Sequence, residues 1–198
     1  MNTKNIGLLI TAGLVAILLM VGCGGYNGLV RGDENVKQAW GNVQVQYQRR
    51  ADLIPGLIRT VQEAAKNEKD ILSTVTKARA GITEAKSEID KATSPQEIEA
   101  ANRKITSALT IAVEAYPQIR STEAFLKLQD DLNGTENRIG TVRSDYNAAV
   151  KEYNVSVRSF PRNILAGMFG FKQKEEFKAK EGAEDVPDYD KLFDKGKN

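Results

Sequence analysis

The sequence predicts an all-α protein, with an apolar N-terminal segment followed by an antiparallel four-helix bundle. Three observations carry that prediction. Ile6 to Gly25 holds no charged residue, and about 20 helical residues cross the hydrocarbon core of a bilayer at 1.5 Å each. From Leu29 onward, apolar residues recur at steps of three and four, the period of a helix with one buried face. The chain has only 5 prolines and 7% aromatic residues, and its middle is dominated by helix-favouring residues rather than strand formers. With 198 residues, it has room for one core and a tail.

Residues 1–27 form the expected membrane anchor. The uncharged stretch is longer than the apolar region of about 7–15 residues found in a cleaved secretory signal, which favours a retained transmembrane helix. Leu19-Met20-Val21-Gly22-Cys23 supports a second reading. It resembles a bacterial lipobox, in which the cysteine is lipidated and the preceding residues are removed, although Met20 stands where leucine is most common. Gly24 and Gly25 suit either the end of a membrane helix or the flexible start of a lipoprotein. Both readings attach the chain to a membrane but put the rest of it in different compartments. Lys4 before the stretch and Arg31 and Lys37 after it give too small a charge bias to choose a sidedness.

The first bundle helix carries Val36, Trp40, Val43, Tyr47, Ile54, Ile58, Val61 and Ala65 on one face. Pro55 lies inside this run, yet the stripe resumes in phase beyond it, so one bent helix is expected. A second helix starts near Asn67 as cap, with Asp70 in its first turn and Ile71, Val75, Ala78, Ile82, Ala85 and Ile89 facing inward. Ser94 as cap and Pro95 at the first helical position open a third helix. Its face is Ile98, Ala101, Ile105, Ala108, Ala112 and Ala115. Pro117 and Ser121 bound the start of the fourth, whose stripe runs from Phe125 through Leu128, Leu132, Thr135, Ile139, Val142, Tyr146, Ala149 and Tyr153 to Ser156 and Phe160. Pro161 ends it. Amphipathic helices joined by short connections bury their stripes against one another, which gives a bundle over residues 28–160. Sustained heptads are also compatible with a coiled-coil dimer.

Charge and composition exclude several function classes. There are 28 basic and 26 acidic side chains, for a net charge of +2, and a nucleic-acid binder usually shows a basic excess. The chain has no histidine, which removes the usual general base and the commonest metal ligand. No glycine-rich phosphate loop is present. Arg49, Arg50 and Asp52, with Glu136, Asn137 and Arg138, form the one charged constellation that stands out. It offers an interaction surface or, if the groups converge in a concave pocket, a polar site for a ligand or for catalysis. The plainer expectation is ion pairing, Asp52 with Arg138 or Arg50 with Glu136. Tyr146-Asn147 and Tyr153-Asn154 are seven residues apart, which puts both tyrosines on one face as core rather than as an aromatic cage.

Together these residues resemble the LemA family. The matching stretches are Tyr26-Asn27-Gly28-Leu29-Val30, Val36 through Trp40, and Tyr47 through Pro55, then Glu114-Ala115-Tyr116-Pro117 and Thr135-Glu136-Asn137-Arg138-Ile139. The Tyr-Asn pairs, Ser159-Phe160-Pro161 and Phe169-Gly170-Phe171 complete them. The resemblance implies an N-terminal membrane helix, a bromodomain-like up-and-down bundle and a bundle on the cytoplasmic side. It implies no established activity, no cofactor and no catalytic residue. A lipidated Cys23 would instead make the bundle extracytoplasmic.

Residues 161–198 divide into an apolar segment and a charged tail. If the fourth helix runs antiparallel to the first, it brings Phe160, Ile164, Leu165, Met168, Phe169 and Phe171 back to the anchored end, flanked by Arg158, Arg162, Lys172 and Lys174. Such a segment makes either a second contact with an anionic membrane interface or a cap on the open end of the bundle. From Gln173 the mixed charges with Gly and Pro predict a partly disordered tail. The expected function is that of a membrane-anchored, non-enzymatic interaction or scaffold protein, with membrane lipid and an envelope protein as partners. The alternatives are a ligand sensor or enzyme at the charged constellation, and a structural lipoprotein acylated at Cys23.

Overall fold

The computed structural model describes the backbone of residues 3–64 and 68–178, and the side chains of those residues from Gly22 onward. Five α-helices follow in order: α1 Thr3–Ala64, α2 Lys69–Lys91, α3 Pro95–Ala115, α4 Glu123–Arg158 and α5 Arg162–Phe169, with a 3-10 turn Pro117–Ser121 before α4. There is no strand among the described residues.

The apolar stretch and the first bundle helix are one continuous α1 of 62 residues. Gly24 and Gly25 do not interrupt it, and it passes through Pro55, with Ile54, Leu57, Ile58 and Val61 buried on both sides of the proline. Among the described residues no helix is long and apolar enough to cross a membrane. Residues 6–21, on which the expected span mainly rests, have side chains outside the described set.

Helix ends follow local chemistry. Ser94 accepts from the Glu97 N–H at 3.4 Å, Pro95 takes the first helical position, and the Glu97 carboxylate reaches back to the Thr93 N–H at 2.7 Å. That hydrogen bond holds the Glu97 carboxyl below its usual pKa. Thr122, just after the expected boundary at Ser121, caps α4 by accepting from the Phe125 N–H. Glu68 precedes α2 without a side-chain cap, and the expected cap Asn67 lies outside the described residues, as does Ala65.

Neighbouring helices run antiparallel, as their contacts show. Along α1, Arg50, Trp40 and Gly32 meet Glu136, Tyr146 and Tyr153 in turn, so α4 descends as α1 ascends, and Leu165 of α5 meets α1 at Gly25. Gln48 and Asp52 meet Asp90 and Lys86 on α2, and Lys104 of α3 meets Glu84 and Glu88 on α2. The most extensive contacts are α1 with α4 and α2 with α3. Tyr47, Ile54, Ile58, Ile89, Ile98, Ile105 and Tyr153 are nearly inaccessible at the centre.

The α2–α3 hairpin covers only the distal part of α1. Its turn sits at Gln44, whose amide donates to the Ala92 carbonyl at 3.1 Å. Nearer the N-terminus, α1 is covered by α4, by α5 and by residues 171–178, which run back along the bundle as an extended strap. The charged tail expected to be partly disordered from Gln173 is packed on the bundle as far as Lys178. Phe177 is only 6% exposed, and Asn147 and Asn154 hold the strap's backbone. Residues 179–198 lie outside the described set.

Candidate functional site

Three surfaces bear on function. The first is the end where α5 meets α1. Glycines on α1 allow the approach: a Cβ at Gly25 would stand 2.8 Å from Leu165 Cδ1, and one at Gly32 would stand 3.1 Å from the Tyr153 ring. Gly170, with φ of 76°, takes the left-handed conformation that ends α5 and turns the chain into the strap. Tyr26 of α1 packs edge-on against Phe169 at 4.8 Å and Phe171 at 5.9 Å. The segment is two-faced. Leu165, Ala166 and Phe171 pack on the bundle, while Phe160 (81% exposed), Ile164, Met168 (72%) and Phe169 point outward. Cys23 is exposed and free on α1, close to the same end.

The second is a groove of about 1010 Å³ where α3 and α4 diverge over α1. Tyr47 and Arg50 of α1 lie in it, with Glu99, Arg103 and Glu114 from α3 and Glu136 and Arg143 from α4. Arg50 pairs with Glu136, and Arg143 with Glu99 at 2.7 Å. Burial pushes the Tyr47 hydroxyl above its usual pKa, so it stays protonated as a donor. Three arginines against three glutamates give the groove no net preference for anions or cations. Two buried polar atoms at its edge, Arg50 Nε and Asn102 Oδ1, have no partner. Among the described residues no group of three or more His, Cys, Asp or Glu side chains could hold a metal ion.

Only part of the charged constellation converges. Arg50 and Glu136 meet in the groove, whereas Arg49, Asn137 and Arg138 are exposed outside its lining. Asp52 does not reach Arg138. It pairs with Lys86 of α2, because Asp52 lies on the α2 side of α1 and the α4 side is taken by Arg50.

The third is the furrow between α1 and α4 that holds the strap. The Asn147 side chain donates to the Phe177 carbonyl at 2.9 Å and accepts from the Phe177 N–H at 2.8 Å. Asn154 makes the same two bonds with Lys174, both at 2.8 Å. The Tyr146 hydroxyl donates to the Glu175 carbonyl at 3.1 Å, and Arg143 to that of Lys178 at 3.3 Å. Lys174 pairs with Asp33 at 2.7 Å and stands over the Tyr153 ring. Burial pushes the Asp33 carboxyl up, but hydrogen bonds from Lys174 and Lys37 outweigh it and hold the pKa below 3.8. Phe177 lies against Trp40, Tyr146 and the Arg143 guanidinium. The tyrosines are buried core, while their neighbouring asparagines are the residues that sequence reasoning passed over. The signal was available: an amide, which both donates and accepts, recurs at the heptad spacing on one face.

A long continuous N-terminal helix packed in an antiparallel helical bundle, with a C-terminal strap, makes this an all-α bundle protein. The LemA family model matches residues 39–190, and the chain belongs to the LemA family. It is similar to the magnetosome proteins MamQ 2 and MamQ 1 of Paramagnetospirillum magneticum. Each is 28% identical over 197 residues, covering 88% of this chain and 71% of the relative. It is also similar to the magnetosome protein MamQ of Magnetospirillum gryphiswaldense, 35% identical over 72 residues that cover 36% of this chain and 26% of the relative.

Proposed function

We propose that this LemA-family protein is a membrane-tethered, non-enzymatic interaction protein, seated on the bilayer through the apolar N-terminus of α1 and the outer face of α5. One observation carries the reading: Phe160, Ile164, Met168 and Phe169, on α5 and the turn before it, are all exposed, with Phe169 against Tyr26 of α1. Large apolar side chains exposed as a group mark a surface that meets lipid or another protein. Arg158, Arg162 and Lys172 border them and suit anionic headgroups. Similarity to proteins named for the magnetosome supports a placement at a membrane. The α3–α4 groove, with its balanced charges, then faces away from the bilayer as the surface that docks a polypeptide partner.

The test uses tryptophan quenching by brominated lipids. The full chain is placed in anionic vesicles, once as it stands and once with Phe169→Trp. Strong quenching at position 169, with Trp40 in the bundle unaffected, is the expected result. Equal and weak quenching at both positions would remove the α5 contact and leave α5 as a cap on the bundle.

A further inference from the structure

We infer that the α1–α4 furrow is a binding site for extended peptides, occupied in cis by the chain's own residues 172–178, and that it selects a basic residue three positions before an aromatic one. The first support is register. Asn147 and Asn154 are seven helical residues apart, about 10.5 Å at 1.5 Å per residue. The strap residues they hold, Lys174 and Phe177, are three apart, about 9–10 Å in extended chain. Two identical amide clamps therefore match the spacing of an extended backbone. They bind only main-chain N–H and C=O groups, so they accept any non-proline residue at those positions.

The second support is that selectivity comes from separate pockets. At Lys174 the ammonium meets the Asp33 carboxylate and the Tyr153 ring face, a pocket for a cation. At Phe177 the ring fits between Trp40 and Tyr146 under the Arg143 guanidinium, a pocket for an aromatic residue. Between them Glu175 and Glu176 are exposed. Inward positions on the strap recur every third residue, at Phe171, Lys174 and Phe177. That is the period of polyproline II, the conformation in which grooves lined by aromatic residues commonly take peptides. The furrow thus recognises a pattern that a segment of another protein can carry as well as the strap does.

The experiment uses the full chain in detergent micelles and reads the emission of Trp40, the chain's one tryptophan. Phe177→Ala is expected to keep its helical circular dichroism while the emission shifts to the red as the strap leaves. An added peptide of sequence KQKEEFK should reverse the shift saturably, and peptides with alanine for the phenylalanine, or glutamine for the middle lysine, should bind at least about tenfold more weakly. Asn147→Ala or Asn154→Ala in the Phe177→Ala background removes two hydrogen bonds and should weaken the peptide by about tenfold or more. Loss of helicity in Phe177→Ala would overturn the inference, because the strap would then be part of the core. So would the absence of any saturable response up to millimolar peptide, or binding indifferent to both asparagines.

Discussion

Asp33 shows how one side chain can join two elements. It accepts from Lys37 on its own helix and from Lys174 on the strap. Its pKa is lowered on folding, so it contributes stability above its ordinary value of 3.8 that is lost as the pH falls through the lowered folded value. Acidification below about pH 3.8 should therefore loosen the strap, and Trp40 emission should follow. Asp33→Asn should start looser at neutral pH and lose most of that acid response, because Lys37 and Lys174 stay charged throughout. Arg143 and Glu136 make a useful contrast. Glu136 is 56% exposed at its ion pair, so Glu136→Gln should change stability by less than about 1 kcal/mol in urea denaturation. Arg143 holds Glu99, the Phe177 ring and the Lys178 carbonyl, so Arg143→Ala should cost more, roughly 1–2 kcal/mol.

At the scale of elements, periodicity made the helices legible and polar detail did not. The stripes Val75 to Ile89 and Ile98 to Ala112 are buried as their spacing requires. Ser94 and Pro95 start α3 where cap chemistry places them. The fourth stripe fails at Phe160, which is solvent-facing because α4 ends at Arg158 and the chain turns through Pro161 into α5. The strap could not be read, because its burial repeats every third residue and depends on partners on two other helices. Two substitutions test the element level. Ile105→Ala in the core of α3 should cost about 2–5 kcal/mol through lost burial and the cavity left behind. Gly134→Ala, in mid-α4 with open space around its Cβ position, should stabilise by up to about 1 kcal/mol. Thermal unfolding measures both.

For the whole molecule, α1 packs two sets of partners in succession. Its distal part packs the α2–α3 hairpin and α4, and its proximal part packs α4, α5 and the strap. The charged constellation illustrates the limit of reading a site from sequence. Helical phase places Arg50 and Asp52 on different sides of α1, so one joins the groove and the other an ordinary pair with Lys86. Convergence depends on which helix stands at each side, and composition does not carry that information. The groove itself arises because α3 and α4 touch little while each packs on other helices.

The unbroken α1 has a mechanical consequence. It runs for 62 residues as one α-helix through Gly24-Gly25 and Pro55, about 90 Å along its axis. A rod of that length acts as a lever. A tilt of about 5° at its N-terminal end sweeps the far end through about 8 Å, and a twist about its axis turns every face of the bundle by the same angle. If the apolar end is held in a bilayer, as proposed above, a change in bilayer thickness or tension there would be delivered as displacement toward Ala64.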